Sequence, residues 1–74
     1  MERKVGNLLL GNYQRGSKYE YYTFYSDVEC EDNVAEVEFN LETKKARLSD
    51  CDFISKENMY AIYVFMDKLE KEEI

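Results

Sequence analysis

Residues 34–42 alternate without a break: Ala35, Val37, Phe39 and Leu41 fall on one side, Glu36, Glu38, Asn40 and Glu42 on the other. A period of two predicts a strand with one face buried and one face in water. Upstream, residues 19–31 are rich in tyrosine, phenylalanine, threonine and valine and read as a long partner strand. Asp32-Asn33 between them fits a two-residue hairpin turn, because both residue types tolerate the left-handed backbone. Residues 4–14, around Leu8, Leu9 and Leu10, predict a first strand that Gly6 and Gly11 weaken or bulge. Arg15-Gly16-Ser17 reads as the turn that follows, with Gly16 supplying a positive φ. Thr43-Lys44 turns the chain into a short fourth strand over 45–49, with Ala46 and Leu48 inward and Lys45 and Arg47 outward.

The period then changes. Met59, Ile62, Tyr63, Met66 and Leu69 recur at helical spacing. Ser55 is the expected N-cap, Glu57 sits in the first turn, and Ile54 with Met59 matches a hydrophobic staple. Glu70, Glu72 and Glu73 meet the negative pole of this helix, which should fray there and end near Glu70. Tyr60 and Val64 fall away from the stripe and Phe65 flanks it. The predicted architecture is α+β, a four-stranded antiparallel meander with one C-terminal helix packed on one face, all in a single small domain over residues 1–74.

A two-residue turn at 32–33 sets Phe24 opposite Leu41, Val28 opposite Val37 and Cys30 opposite Ala35, so that the apolar sides agree. It also sets Glu29 opposite Glu36, Asp27 opposite Glu38, Tyr25 opposite Asn40 and Thr23 opposite Glu42. Directly opposed like charges cost stability, on the order of 0.2–1 kcal/mol per pair. Tyr19, Tyr21 and Tyr25 share that outer face.

Charge sharpens this picture. Between Lys18 and Lys44 the chain holds eight acidic residues, no basic one, and four of its seven tyrosines. The net charge of −6 disfavours direct binding to nucleic acid or to an anionic membrane and favours a basic protein partner. Spaced carboxylates imitate phosphates, and tyrosine rings imitate bases or anchor interfaces. The expected binding residues are Tyr19, Tyr21, Tyr25, Asp27, Glu29, Glu31, Asp32, Glu36 and Glu38, docking on a basic, nucleic-acid-binding protein. Against this stands a plainer reading. Acidic faces are commonly only solvated, Arg3, Lys4, Lys45 and Arg47 are available to neutralise them, and the tyrosines are suited to pack against a second copy as a structural or adaptor homodimer.

Chemistry is scarce. With no histidine and two cysteines, neither a zinc site nor a Ser-His or Cys-His pair can be assembled. Asp27, Glu29, Glu31 and Glu38 match calcium-loop positions 1, 3, 5 and 12 in spacing, but the required glycine is replaced by Asp32 and the flanks read as strands. Cys51 lies between two aspartates, a poor setting for a nucleophile, and Cys30 falls on the inner face, too far across the sheet for a disulfide with it. No enzyme activity, metal or cofactor is expected. No apolar run approaches the about 20 residues of a membrane span, and Leu8-Leu9-Leu10 is too short for a signal peptide, which predicts a cytoplasmic protein. In size and charge the chain looks like small acidic phage-encoded inhibitors of host nucleic-acid enzymes, of the anti-CRISPR or anti-restriction type. That likeness implies a non-enzymatic inhibitor.

Overall fold

The computed structural model describes residues 3–26, 33–52 and 54–72. Its elements are β1 (Arg3–Val5), β2 (Leu8–Arg15), β3 (Tyr19–Tyr25), β4 (Asn33–Asn40), β5 (Lys45–Cys51) and α1 (Lys56–Glu70). The strands form one antiparallel sheet in sequential order, with β1 and β5 at its edges. There are thus five strands where the hydrophobic pattern predicts four.

Gly6 makes the difference. It takes a φ of +64° and turns the first apolar run back on itself, so that Val5 faces Leu8 and Arg3 faces Leu10. A side chain there is excluded twice over. A Cβ at Gly6 would lie 2.8 Å from Asn58 Oδ1 and 2.9 Å from Ala61 Cβ, both on the helix, and the left-handed backbone strains any other residue. The Asn7 amide donates to Asn58 Oδ1 at 2.9 Å, fastening this turn to α1.

Gly11 marks a register shift between Leu10 and Asn12, the bulge its position suggests. The β2–β3 turn is closed by the Gly16 amide on the Tyr19 carbonyl at 2.8 Å. Gly16 itself is not in the left-handed region, so its expected positive φ is corrected.

The register of β3 on β4 also differs from expectation. Asn33 already belongs to β4 and faces Tyr25, so no two-residue turn is centred on 32–33. The longer connection slides the pairing by six residues: Asn40 faces Tyr19, Glu38 faces Tyr21, Glu36 faces Thr23 and Ala35 faces Phe24. Because the slide is even, Tyr19 to Phe24 and Ala35 to Asn40 keep their predicted faces, and the register shifts once more between Phe24 and Tyr25. The expected oppositions of Glu29 with Glu36 and Asp27 with Glu38 are overturned.

β4 and β5 are joined through Asn40, whose Oδ1 accepts from the Glu42 and Thr43 amides at 2.8 and 3.0 Å. Lys44 completes the turn with a φ of 62°.

Ser55 caps α1 as its type predicts, accepting from the Asn58 amide at 3.2 Å. The buried stripe is rotated relative to the predicted one. Ile62, Phe65 and Leu69 are buried, whereas Tyr63 is 52% exposed. Phe65 reaches inward because its ring meets Tyr22 and Phe24 edge-on, with centroids 5.2 and 5.3 Å away. These residues join Leu8, Leu10, Val37 and Phe39 in the core between sheet and helix. Fully burying such a side chain contributes roughly 1.5–3 kcal/mol.

The helix ends at Glu70 as expected, but Glu70 is held in place: its Oε2 accepts from the Ala46 amide of edge strand β5 at 2.8 Å. No helix among the described residues is long and apolar enough to cross a membrane.

Candidate functional site

With α1 covering one side of the sheet, strand alternation leaves Tyr19, Tyr21, Thr23 and Tyr25 of β3 on the other, beside Glu36, Glu38 and Asn40 of β4 and Lys45 and Arg47 of β5. The structure therefore brings together five of the expected binding residues: Tyr19, Tyr21, Tyr25, Glu36 and Glu38. The other four, Asp27, Glu29, Glu31 and Asp32, lie outside the described residues, as do Val28 and Cys30.

Three rows cross this face. The first runs Tyr19, Asn40, Lys45; the second Tyr21, Glu38, Arg47; the third Thr23, Glu36, Asp50. Charge changes along them, from basic through neutralised to acidic.

The rows differ because their partners differ. In the second, Arg47 Nε donates to Glu38 Oε1 at 2.8 Å, and this bond together with the carboxylate's charge raises the Arg47 pKa. Glu38 is thus answered within the fold. In the third, the register shifts between Glu36 and Val37, placing Ser49 as an extra residue in β5. The Ser49 hydroxyl donates to Glu36 Oε1 at 3.0 Å and approaches its carbonyl at 3.2 Å. Asp50 then stands directly across from Glu36. Among the described residues no cation pairs with either carboxylate. The opposed like charges expected on this face are present, but between Glu36 and Asp50.

The tyrosines are half-buried, with the Tyr19 and Tyr21 ring centroids 6.2 Å apart and their planes inclined by 38°. Rings held in this way present flat area at little further cost in side-chain entropy.

A second polar cluster lies on the helix side, where sequence reasoning named no site. Glu20 accepts from the Tyr13 and Tyr22 hydroxyls and lies 3.9 Å from Arg15 Nε. The hydrogen bond to Glu20 is the main cause of a raised Tyr13 pKa, with burial and the Glu20 charge adding to it. Tyr22 is raised mainly by burial and then by the Glu20 charge. The inward parity of Glu20, between Tyr22 and the turn, is the sequence signal that marks it. The cluster borders a pocket of about 300 Å³ reaching Leu69 and Glu72 at the end of α1.

Among the described residues no group of three or more histidine, cysteine or carboxylate side chains is disposed to hold a metal ion. Cys51 is free and exposed. No protein-family model, curated protein or solved structure matches the chain.

Proposed function

We propose that this protein is a non-enzymatic binding domain whose helix-free sheet face docks on a basic, nucleic-acid-binding protein. The observation that carries the reading is the Glu36–Asp50 opposition on the sheet face turned away from α1, beside Tyr21 and Tyr25. A small domain gains nothing in stability from two carboxylates set across one ladder without a cation. A basic partner removes that cost on binding, and steering by the net charge of −6 speeds encounter. In this reading Glu36 and Asp50 stand where a nucleic acid would place phosphates, and the tyrosines fill the flat space between. A phage-encoded inhibitor of a host nuclease is the kind of protein that needs such a face, acting by occupying a substrate groove.

The test is capture from a nuclease-treated bacterial lysate on the immobilised protein, eluted in stepped salt and compared with the Glu36→Lys/Asp50→Lys variant. A basic nucleic-acid-binding protein eluting at intermediate salt from the wild type, much less from the variant, and displaced by duplex DNA, is the expected result. Equal retention by the variant overturns the reading.

One observation favours a second reading. The face runs from Lys45 at one end to Asp50 at the other, so two copies related by a twofold axis set opposite charges together across the tyrosines. Sedimentation at high micromolar concentration decides it: a monomer removes the homodimer, and a dimer dissociated by Tyr21→Lys supports it.

A further inference from the structure

The tyrosine face carries, at its Lys45 end, a hollow of about 260 Å³ lined by Tyr19, Glu38, Asn40, Thr43, Lys45 and Arg47. The ladder sets the strand residues among them on one side of the sheet: Tyr19 faces Asn40 and Asn40 faces Lys45, while Glu38 faces Arg47 in the next row. The bond from Arg47 to Glu38 agrees with that placement.

Hydrogen-bond donors are in excess in this hollow. Arg47 gives its Nε to Glu38 and keeps its terminal NH₂ groups, on a side chain that is 70% exposed. Lys45 is exposed and makes no ion pair among the described residues. Asn40 turns its Oδ1 to the Glu42 and Thr43 amides, which leaves its side-chain NH₂ as a donor. Two cations stand against one carboxylate, in a chain whose net charge is −6. The hollow is locally basic.

That corner restricts what can lie on the face. Along β4 the Lys45 row and the Glu36–Asp50 row are about 13 Å apart. A partner that was basic over the whole contact would answer Glu36 and Asp50, then press its own cations on Lys45 and Arg47. Like charges set together across an interface cost affinity, and a surface whose sign changes over that length avoids the cost. The single positive charge in excess matches a carboxylate, and a groove built to hold phosphates presents none of its own.

We propose, on the footing of the docking function above, that the partner's surface is bipolar: one of its aspartate or glutamate side chains enters the hollow between Lys45 and Arg47 while its cations meet Glu36 and Asp50. The pair of charges fixes which way round the domain docks, because the reversed orientation sets like charges together at both ends.

The sign of one substitution tests this. If the partner were basic throughout, Lys45→Glu would extend the acidic face and tighten the complex; a bipolar partner is repelled by it. The wild type, Lys45→Gln, Lys45→Glu and Glu36→Lys/Asp50→Lys are each immobilised and exposed to the same nuclease-treated bacterial lysate. The basic protein that duplex DNA displaces from the wild type is then purified and titrated against all four. Lys45 is exposed and unpaired among the described residues, so its variants should melt with the wild type. Expected is a loss of affinity of about tenfold for Lys45→Glu, with Lys45→Gln in between, and a weakening of both differences by added salt. Unchanged or tighter binding by Lys45→Glu overturns the bipolar surface, and if Glu36→Lys/Asp50→Lys still loses the partner, the docking function stands without it. Undiminished binding by Glu36→Lys/Asp50→Lys, or no such protein retained by the wild type, overturns the function and this inference together. A dimer in sedimentation that Lys45→Glu dissociates assigns the hollow to Asp50 of a second copy and overturns the proposal as well.

Discussion

Glu36 stands directly across the sheet from Asp50, and its carboxylate is held by the Ser49 hydroxyl in place of a cation. One row away Glu38 has the opposite circumstance, with Arg47 bonded to it at 2.8 Å. Two glutamates that look equivalent in the alternating pattern are therefore unlike in energy.

Their charge reversals should separate accordingly. Asp50→Lys turns an opposed like pair into an opposite one and should raise stability by roughly 0.2–1 kcal/mol. Glu38→Lys sets two cations together and should lower the melting temperature. Thermal unfolding of the two variants checks this. If both shift the same way, the described charge rows do not control the sheet.

Phe65→Ala should cost about 3–5 kcal/mol, because its ring sits against Tyr22 and Phe24 in the centre of the core. Tyr63→Ala, two residues away on an exposed side of α1, should stay within about 0.5 kcal/mol. Urea unfolding that ranks the two the other way would restore the stripe predicted from spacing.

That stripe shows where the sequence was legible and where it was not. The helix has apolar residues around much of its circumference, so 59, 62, 63, 66 and 69 fit a 3.6-residue period about as well as 62, 65, 66 and 69. Only the rings of Tyr22 and Phe24 decide in favour of Phe65. Strand faces were easier. Alternation in 34–42 placed Glu36 and Glu38 correctly, the even slide in register left Tyr19 and Tyr21 with them, and Tyr25 follows by alternation along β3. Neighbours across the ladder were not legible, since they depend on the length of the connection before Asn33. Assigning a two-residue turn to Asp32-Asn33 named the wrong partners for every acid. Asp50 was missed because the extra residue at Ser49 cannot be read from alternation.

Gly6→Ala should destabilise by more than about 1 kcal/mol, combining an unfavourable left-handed φ with a collision against Asn58 and Ala61. Gly16→Ala, where the backbone is not left-handed and the nearest atom is 3.4 Å from a new Cβ, should cost less. Denaturant midpoints of the two variants, read against the wild type, distinguish a turn that requires glycine from one that merely has it.

Alkaline pH should unfold the protein through Tyr13 and Tyr22. Both hydroxyls hold their protons to higher pH in the folded state than the value of about 10 in an unfolded chain. Their contribution is complete below pH 10 and is lost as pH rises from there through the raised values. Melting temperatures measured between about pH 8 and about pH 12 should fall less steeply for Tyr22→Phe than for the wild type. Parallel curves would show that Tyr22 does not drive the loss.

The bond from Ala46 to Glu70 also makes one edge of the sheet answerable to the end of the helix. The acceptor follows the amide by 24 positions, and all five strands precede it in the chain. Whatever frays the last turn of α1 frees the Ala46 amide, and an edge strand with a free amide is a place where another extended chain can pair. Hydrogen exchange at Ala46 therefore reports on a helix terminus, although the amide itself belongs to a strand.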